Sequence, residues 1–204
     1  MNPFDVQAVT WDQDPMKVER ALTVGQAIAD AIPLAGRRIL EYGCGTGLLG
    51  FALQPQVAQV TLADTSEGML EVLRQKIELA RATNMSVLQL DLLADPLPVP
   101  PFEVICSLMT LHHIPDTAGL LRAFHQALVP GGWVALSDLD AEDGSFHGRE
   151  VADVHLGFDR EVLGCQLAEA GFQDIRFTTP YQIQRPADGR IAAFPLFLVV
   201  ARRT

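Results

Sequence analysis

Basic runs are missing from this chain. Lysine and arginine total 15 against 25 aspartates and glutamates, a formal net charge of −10, and the cations are scattered. A broadly acidic surface repels phosphate backbones and anionic lipid headgroups, so neither nucleic acid nor a membrane surface is an expected partner. Cysteine is scarce as well. Cys44, Cys106 and Cys165 are odd in number, widely spaced and without a CxxC pair. That argues against a disulfide framework or a metal knuckle and for structural burial. No apolar run approaches the roughly 18 residues of a membrane span. No basic, apolar and small-residue leader opens the chain, so a cytoplasmic protein is expected.

What remains is an ordinary globular mix, 49% hydrophobic and 20% charged over 204 residues, enough for one domain with its own core. Strand and helix patterns alternate. Asp14-Pro15 caps a helix in which Val18, Ala21, Leu22, Gly25, Ile28, Ala29 and Ile32 recur at helical spacing until Pro33. Strands are expected at 37–42, 60–64, 86–91, 102–108 and 133–139. Helices are expected from Gly47, from Ser66 (Met69, Leu70, Leu73, Ile77, Ala80), after Asp116 (Leu120, Leu121, Phe124, Leu128) and after Asp159 (Val162, Leu163, Leu167, Ala170). Pro130-Gly131-Gly132 and Gly171 punctuate the last two. Two long strands, 173–185 and 191–201, then flank Ala187-Asp188-Gly189-Arg190, a hairpin signal.

The expected fold is α/β: a Rossmann-like, seven-stranded, mostly parallel sheet with helices on both faces and a C-terminal antiparallel hairpin. One domain over 1–204 is expected, with 1–36 as an N-terminal lid and cap helix and 140–158 as a substrate-side loop. The stretch from Phe4 to Trp11 carries aromatics without helical or strand periodicity and is expected to fold over the cofactor and shape the acceptor pocket, with Trp11 toward substrate, the alternative being a cover for the sheet edge. Tyr181 reads as sheet packing.

In such sheets ligands bind beyond the carboxyl ends of the strands, near the switch point. The first strand runs into Glu41-Tyr42-Gly43-Cys44-Gly45-Thr46-Gly47, a glycine turn that lets a ligand approach the backbone. A phosphate cradle is ill served by a carboxylate at its edge, whereas a ligand with an amino group and a positive charge is well served. Glu41 therefore points toward S-adenosylmethionine. Asp64 can bind both hydroxyls of a ribose, and Asp91 can accept from an adenine amino group.

These parts, with Asp91-Leu92, Leu111-His112-His113-Ile114 and Leu128-Val129-Pro130-Gly131-Gly132 in order, resemble a class I S-adenosylmethionine-dependent methyltransferase of the small-molecule group, types 11 and 12. The resemblance runs from about residue 37 to 139. It implies S-adenosyl-L-methionine as cofactor, held by Glu41, Gly43, Gly45, Gly47, Asp64, Thr65, Ser66, Met69, Asp91, Leu92 and Ser107. Within that set Met69 would pack on the adenine, Leu92 N–H would meet the ring, and the Ser107 backbone would lie beside the methionyl amino group.

The sulfonium is already an activated donor, so alignment of a small-molecule acceptor suffices and no base is obligatory. His112 and His113 are the candidate bases if one is used. Asp138, Asp140 and His147 are candidate substrate contacts. The acidic segment from Asp138 to His147 could converge on a divalent metal, but a solvated loop is the expected reading, so no metal is assigned. Strand four exits through Ser107-Leu108-Met109-Thr110, unlike the Asn/Asp-Pro-Pro-Tyr/Phe turn of adenine and glutamine N-methyltransferases. The acceptor atom stays open among oxygen, nitrogen, carbon and sulfur, and the assembly open between monomer and homodimer.

Two other readings compete. Gly45-Thr46-Gly47-Leu48-Leu49-Gly50 satisfies GxGxxG about 20 residues before Asp64, the mark of an NAD(P)-dependent oxidoreductase. Its register is poor, since the strand-end glycine is Gly43 and Leu48 then stands at the third glycine's place. The other is a module that binds S-adenosylmethionine without catalysis.

Overall fold

The computed structural model describes residues 3–96, 101–146, 154–187 and 190–204. Seven strands lie in the order β3-β2-β1-β4-β5-β7-β6: β1 Arg38–Tyr42, β2 Gln59–Asp64, β3 Met85–Gln89, β4 Phe102–Leu108, β5 Leu128–Leu139, β6 Phe172–Ala187 and β7 Arg190–Arg203. The first five pair in parallel. β7 then enters antiparallel between β5 and β6. The chain leaves β1 for β2 on one side and returns to β4 on the other. The switch point therefore lies between β1 and β4, at the carboxyl ends.

Helices cover both faces, as apolar strands with no solvent face require. On one face Val24 and Ile28 of α2 (Pro15–Ala31), Leu49 and Leu53 of α3 (Leu48–Leu53) and Leu70 and Leu73 of α4 (Glu67–Ala80) pack on Ile39, Val60, Val104, Cys106 and Ala135. On the other, Leu120, Leu121 and Phe124 of α5 (Thr117–Ala127) and Leu163 and Leu167 of α6 (Arg160–Glu169) pack on Leu40, Ile105, Leu136 and Phe197. The caps are those the sequence marks. Asp14 accepts from Met16 N at 3.0 Å, Asp116 from Gly119 N at 2.7 Å, and Asp159 from Glu161 N and Val162 N at 2.9 and 3.0 Å.

Several expectations shift. The N-terminal stretch is helical after all: α1 spans Pro3–Gln7 and a 3₁₀ turn spans Ala8–Gln13. Leu22 and Val162 are each 58% exposed, because the buried stripes of α2 and α6 run through Val24 and Ile28 and through Leu163 and Leu167. Leu128 leaves the helix and opens β5, so the strand starts before Pro130 rather than after Gly132. β3 stops at Gln89, leaving Asp91 in the following turn. Cys44 and Cys106 are buried, but Cys165 is exposed. Ala187 pairs with Arg190 across the hairpin, whose Asp188-Gly189 tip lies outside the described residues. Among the described residues no helix is long and apolar enough to cross a membrane.

Candidate functional site

Tyr42 ends β1, and Gly43, Gly45 and Gly47 follow with φ of 69°, 53° and 79°. Gly43 is fixed by contact as well as by dihedral. A Cβ there would sit 2.1 Å from Thr110 Cγ2, and Thr110 Oγ1 donates to Gly43 O at 3.1 Å. At Gly45 the nearest atom to a Cβ would be Met69 Sδ, at 3.8 Å, so the space above the turn is open beside that methionine. Gly50, the third glycine of the dinucleotide pattern, lies inside α3. A Cβ there would strike Leu62 at 2.4 Å, so this glycine serves helix-on-sheet packing.

Asp64, at the end of β2, is held by two backbone donors: Gly45 N on Oδ2 at 2.7 Å and Ser66 N on Oδ1 at 2.9 Å. Each oxygen keeps a lone pair for a further donor. Ser66 caps α4 by accepting from Met69 N at 3.2 Å. Thr65 between them is exposed, and its carbonyl accepts from Gln89 Nε2 at 3.3 Å. Asp91 accepts from Leu93 N at 2.9 Å. The Tyr42 hydroxyl accepts from Leu92 N at 3.3 Å, so the N–H assigned to an adenine ring has a protein partner here. Burial pushes the Tyr42 phenol up to about 12. Ser107 Oγ donates to Tyr42 O at 2.8 Å, tying β4 to β1 beside the turn.

Glu41 is sealed inside, 2% exposed. Burial pushes its carboxyl up to about 8, against the Gly50 N–H that favours the charge. One oxygen, Oε2, has no partner. Direct contact with a ligand over the turn, as the sequence suggested, is not what this burial provides. Glu41 instead sits against the start of α3.

β4 leaves through Met109, held at φ 55°, into a 3₁₀ turn at Leu111–His113. His112 is 1% exposed. Its Nδ1 lies 2.7 Å from Asp138 Oδ1, and its backbone N–H donates to Asp138 Oδ2 at 3.2 Å. Leu139 N also donates to Oδ1, at 2.8 Å. Asp138 is thus fully buried and committed to orienting His112, which corrects the expectation of a direct substrate contact. Asp140 is corrected likewise: Arg160 grips it through Nε and a terminal nitrogen at 2.6 and 2.7 Å. His147 lies outside the described residues. Among the described residues no group of three His, Cys, Asp or Glu is placed to hold a metal.

The N-terminal segment folds over this rim. Phe4 packs edge-on against His113, ring centroids 5.1 Å apart, and against Trp11 at 6.0 Å. Trp11 carries Lys17 Nζ 3.4 Å above its ring. Asp5 accepts from Ser66 Oγ at 2.7 Å and Gly68 N at 3.1 Å, over the start of α4. Asp12 accepts from Thr46 Oγ1 and Lys76 Nζ, both at 2.5 Å, and Lys76 also donates to Thr46 O at 2.7 Å.

A family model described as a methyltransferase domain matches residues 17–188. The chain belongs to the methyltransferase-domain family. A ubiquinone biosynthesis O-methyltransferase of Idiomarina loihiensis is 32% identical over 183 residues, 87% of this chain and 72% of the relative. Its namesake in Pseudomonas aeruginosa is 36% identical over 108 residues, 52% of this chain and 46% of the relative, so that match spans about half the relative's length. Phosphoethanolamine N-methyltransferase 2 of Haemonchus contortus, solved with S-adenosyl-L-methionine, superposes with a TM-score of 0.73 at 17% identity, over 88% of this chain and 52% of that one. That likeness bears on the fold.

The family uses S-adenosylmethionine, and the methyltransferase's own residues fit it. The turn leaves room above Gly45, and Asp64 is pre-oriented with acceptor capacity left over. Sequence reasoning missed Asp5, Asp12, Lys76 and the Tyr42 hydroxyl. Their hydrogen-bond partners lie 30 or more residues away in the chain, so no local pattern marks them.

The Glu41 carboxyl gives a signed prediction. Its folded-state pKa of about 8 lies above its ordinary 4.5, so the native state holds an extra proton between those values. Stability should therefore fall as pH rises from 5 to 8, by roughly 1 kcal/mol per pH unit from this group. Chemical denaturation of wild type and Glu41→Gln across that range should show the slope reduced in the variant. Parallel slopes would refute a protonated Glu41.

Proposed function

We propose that this methyltransferase transfers the methyl group to a hydroxyl oxygen of a small acceptor, with His112 as the base that takes the hydroxyl proton. The carrying observation is the buried His112–Asp138 pair at the mouth of β4 and β5. A carboxylate on Nδ1 fixes the tautomer with its proton there and leaves Nε2 as the basic nitrogen. Amine and thiol acceptors have less need of such a partner. The names of the Idiomarina and Pseudomonas relatives agree with an oxygen acceptor.

S-adenosylmethionine supplies a methyl group on a sulfonium, so the displacement itself needs no covalent help from the protein. The chain's residues bind and align. Asp64 holds the ribose hydroxyls with the lone pairs that Gly45 N and Ser66 N leave free. Met69 packs beside the turn, and Asp91 serves the adenine end. The Gly43–Gly47 backbone and Ser107 line the methionyl end, with Thr65 and Ser66 at the edge. Glu41 supports the turn from beneath as a buried, protonated carboxyl. His113 does not share the basic role, because its ring supports Phe4.

Residues 3–13 form the lid. Asp12 latches it to the glycine turn through Thr46 and Lys76, and Asp5 latches it to α4. Closing it excludes water, which would otherwise compete for the site's polar groups. The free, buried Cys44 and Cys106 suit a cytoplasmic setting.

Four outcomes are expected. Calorimetry should show Asp64→Ala weakening S-adenosylmethionine binding by about 1.5–3 kcal/mol, the range for hydrogen bonds to a charged group; unchanged affinity would remove Asp64 from the site. In an assay of S-adenosylhomocysteine release with a panel of phenols and amines, His112→Gln should lower kcat by about 10²–10⁴-fold while cofactor affinity holds. Mass spectrometry should place the methyl on oxygen, and N-methyl products would refute the reading. Stopped-flow dissociation should find S-adenosylhomocysteine leaving Asp12→Asn faster than wild type; equal rates would deny the lid its latch.

A further inference from the structure

Arg20 stands apart from every role given so far. It lies one turn into α2, half-buried, where α2 packs on β6 and β7. Among the described residues it makes no hydrogen bond or salt bridge, and its Nε is buried without a partner. A guanidinium is always charged, and a buried donor of this kind left unpaired is costly. The carboxylates within electrostatic reach do not satisfy it. Asp138 is nearby, but His112 and Leu139 occupy its oxygens. Asp14 caps its own helix.

A second positive charge stands one turn earlier. Lys17 sits at i−3 to Arg20 and also lacks a salt bridge among the described residues, resting on the Trp11 ring. Like charges at this spacing repel. Burial lowers the pKa of both cations, outweighing the carboxylates near them, Asp14 and Asp12 for Lys17 and Asp14 and Asp138 for Arg20.

The sheet adds a further unpaired polar group on the same side. Ser137 pairs with Leu198, which belongs to the α2-facing core. Opposed residues of an antiparallel pair share a face, so Ser137 points toward α2. Its Oγ is fully buried without a partner. Asp138, the next residue, points to the other face by alternation, where it meets His112. An open groove of about 510 Å³ lies on the surface between α2 and β6, walled by Met16, Glu19, Thr179, Tyr181 and Gln184. Glu19 adjoins Arg20 in the chain, and Tyr181, a neutral phenol at ordinary pH, lies near it.

We propose that Arg20 binds a carboxylate carried by the methyl acceptor, with Lys17 adding to the positive potential at that point. The reading rests on the methyltransferase assignment and adds the acceptor's charge class to it. A planar guanidinium matches a carboxylate through two parallel hydrogen bonds. A monoanion suits the place better than a phosphate dianion. Asp14 and Asp138 stand close by in a chain of net charge −10, and their repulsion doubles for a dianion.

The test uses the full chain saturated with S-adenosylhomocysteine. Affinities are measured by calorimetry for 4-hydroxybenzoate, 3,4-dihydroxybenzoate and 4-hydroxyphenylacetate, each beside its amide, and for phenyl phosphate. At least one acid should bind better than its amide. Arg20→Met should weaken that acid about ten- to hundredfold and leave the amide unchanged, and Arg20→Lys should restore part of the loss. Three results would overturn the proposal: no acid exceeding its amide, equal losses for acid and amide in Arg20→Met, or preference for phenyl phosphate. Failure of the wild type to bind S-adenosylhomocysteine would overturn the methyltransferase assignment and this proposal with it.

Discussion

Gly43 and Thr110 touch so closely that no side chain fits between them, and much of the site hangs on that contact. The turn after β1 and the exit from β4 come from separate parts of the chain and must meet at the switch point. Thr110 Oγ1 on Gly43 O and Ser107 Oγ on Tyr42 O fasten them together. The fit forces Met109 into a left-handed conformation, and a non-glycine residue held there costs free energy that the surrounding structure must offset. The return is positional. The chain is turned sharply enough for Leu111–His113 to set His112 against Asp138 on the neighbouring strand.

Three carboxyl groups around this junction show how environment divides one chemistry into separate tasks. Asp64 is half-buried and receives two backbone N–H groups, which suits an anion with acceptor capacity to spare. Asp138 is wholly buried, but three donors surround it, so burial does not strand it. Glu41 is equally buried with one oxygen unpartnered, and its carboxyl is pushed toward the neutral form. Donor count rather than depth separates the last two. Arg20 is the cationic counterpart of Glu41, an ionisable group with one buried atom left without a partner, and such incomplete pairing is most readily accepted where a ligand completes it.

The N-terminal segment works by the same logic from outside. Its hold comes from two carboxylates set on groups that α4 and the glycine turn leave available, the Ser66–Gly68 amide region and the Thr46–Lys76 pair. Gly68 admits the approach, since a Cβ there would stand 2.8 Å from Asp5 Cα. These are polar contacts at a partly solvated rim, weaker than core packing and so compatible with opening and closing.

Local pattern was enough for the seven strands, the aspartate caps and the glycine turn, because strand period, capping chemistry and glycine dihedrals act over a few residues. Asp14, Asp116 and Asp159 are caps by their place before an apolar stripe, and Gly43-x-Gly45-x-Gly47 is a tight turn by its spacing. Element edges moved where neighbours outvoted local preference. Leu128–Gly132 falls within β5 despite Pro130, and Leu22 and Val162 fall off stripes that only packing defines. The roles of His112, Asp138, Asp140 and Glu41 could not be read locally. Asp138 lies 26 residues from the histidine it orients, and Asp140 lies 20 from the arginine that holds it. The sequence by itself determined the order of elements and the turn over which a ligand can lie. Only the tertiary structure decided which acids are free and which are spoken for, because a carboxylate's role follows from the donors and solvent around it, and distant parts of the chain bring both.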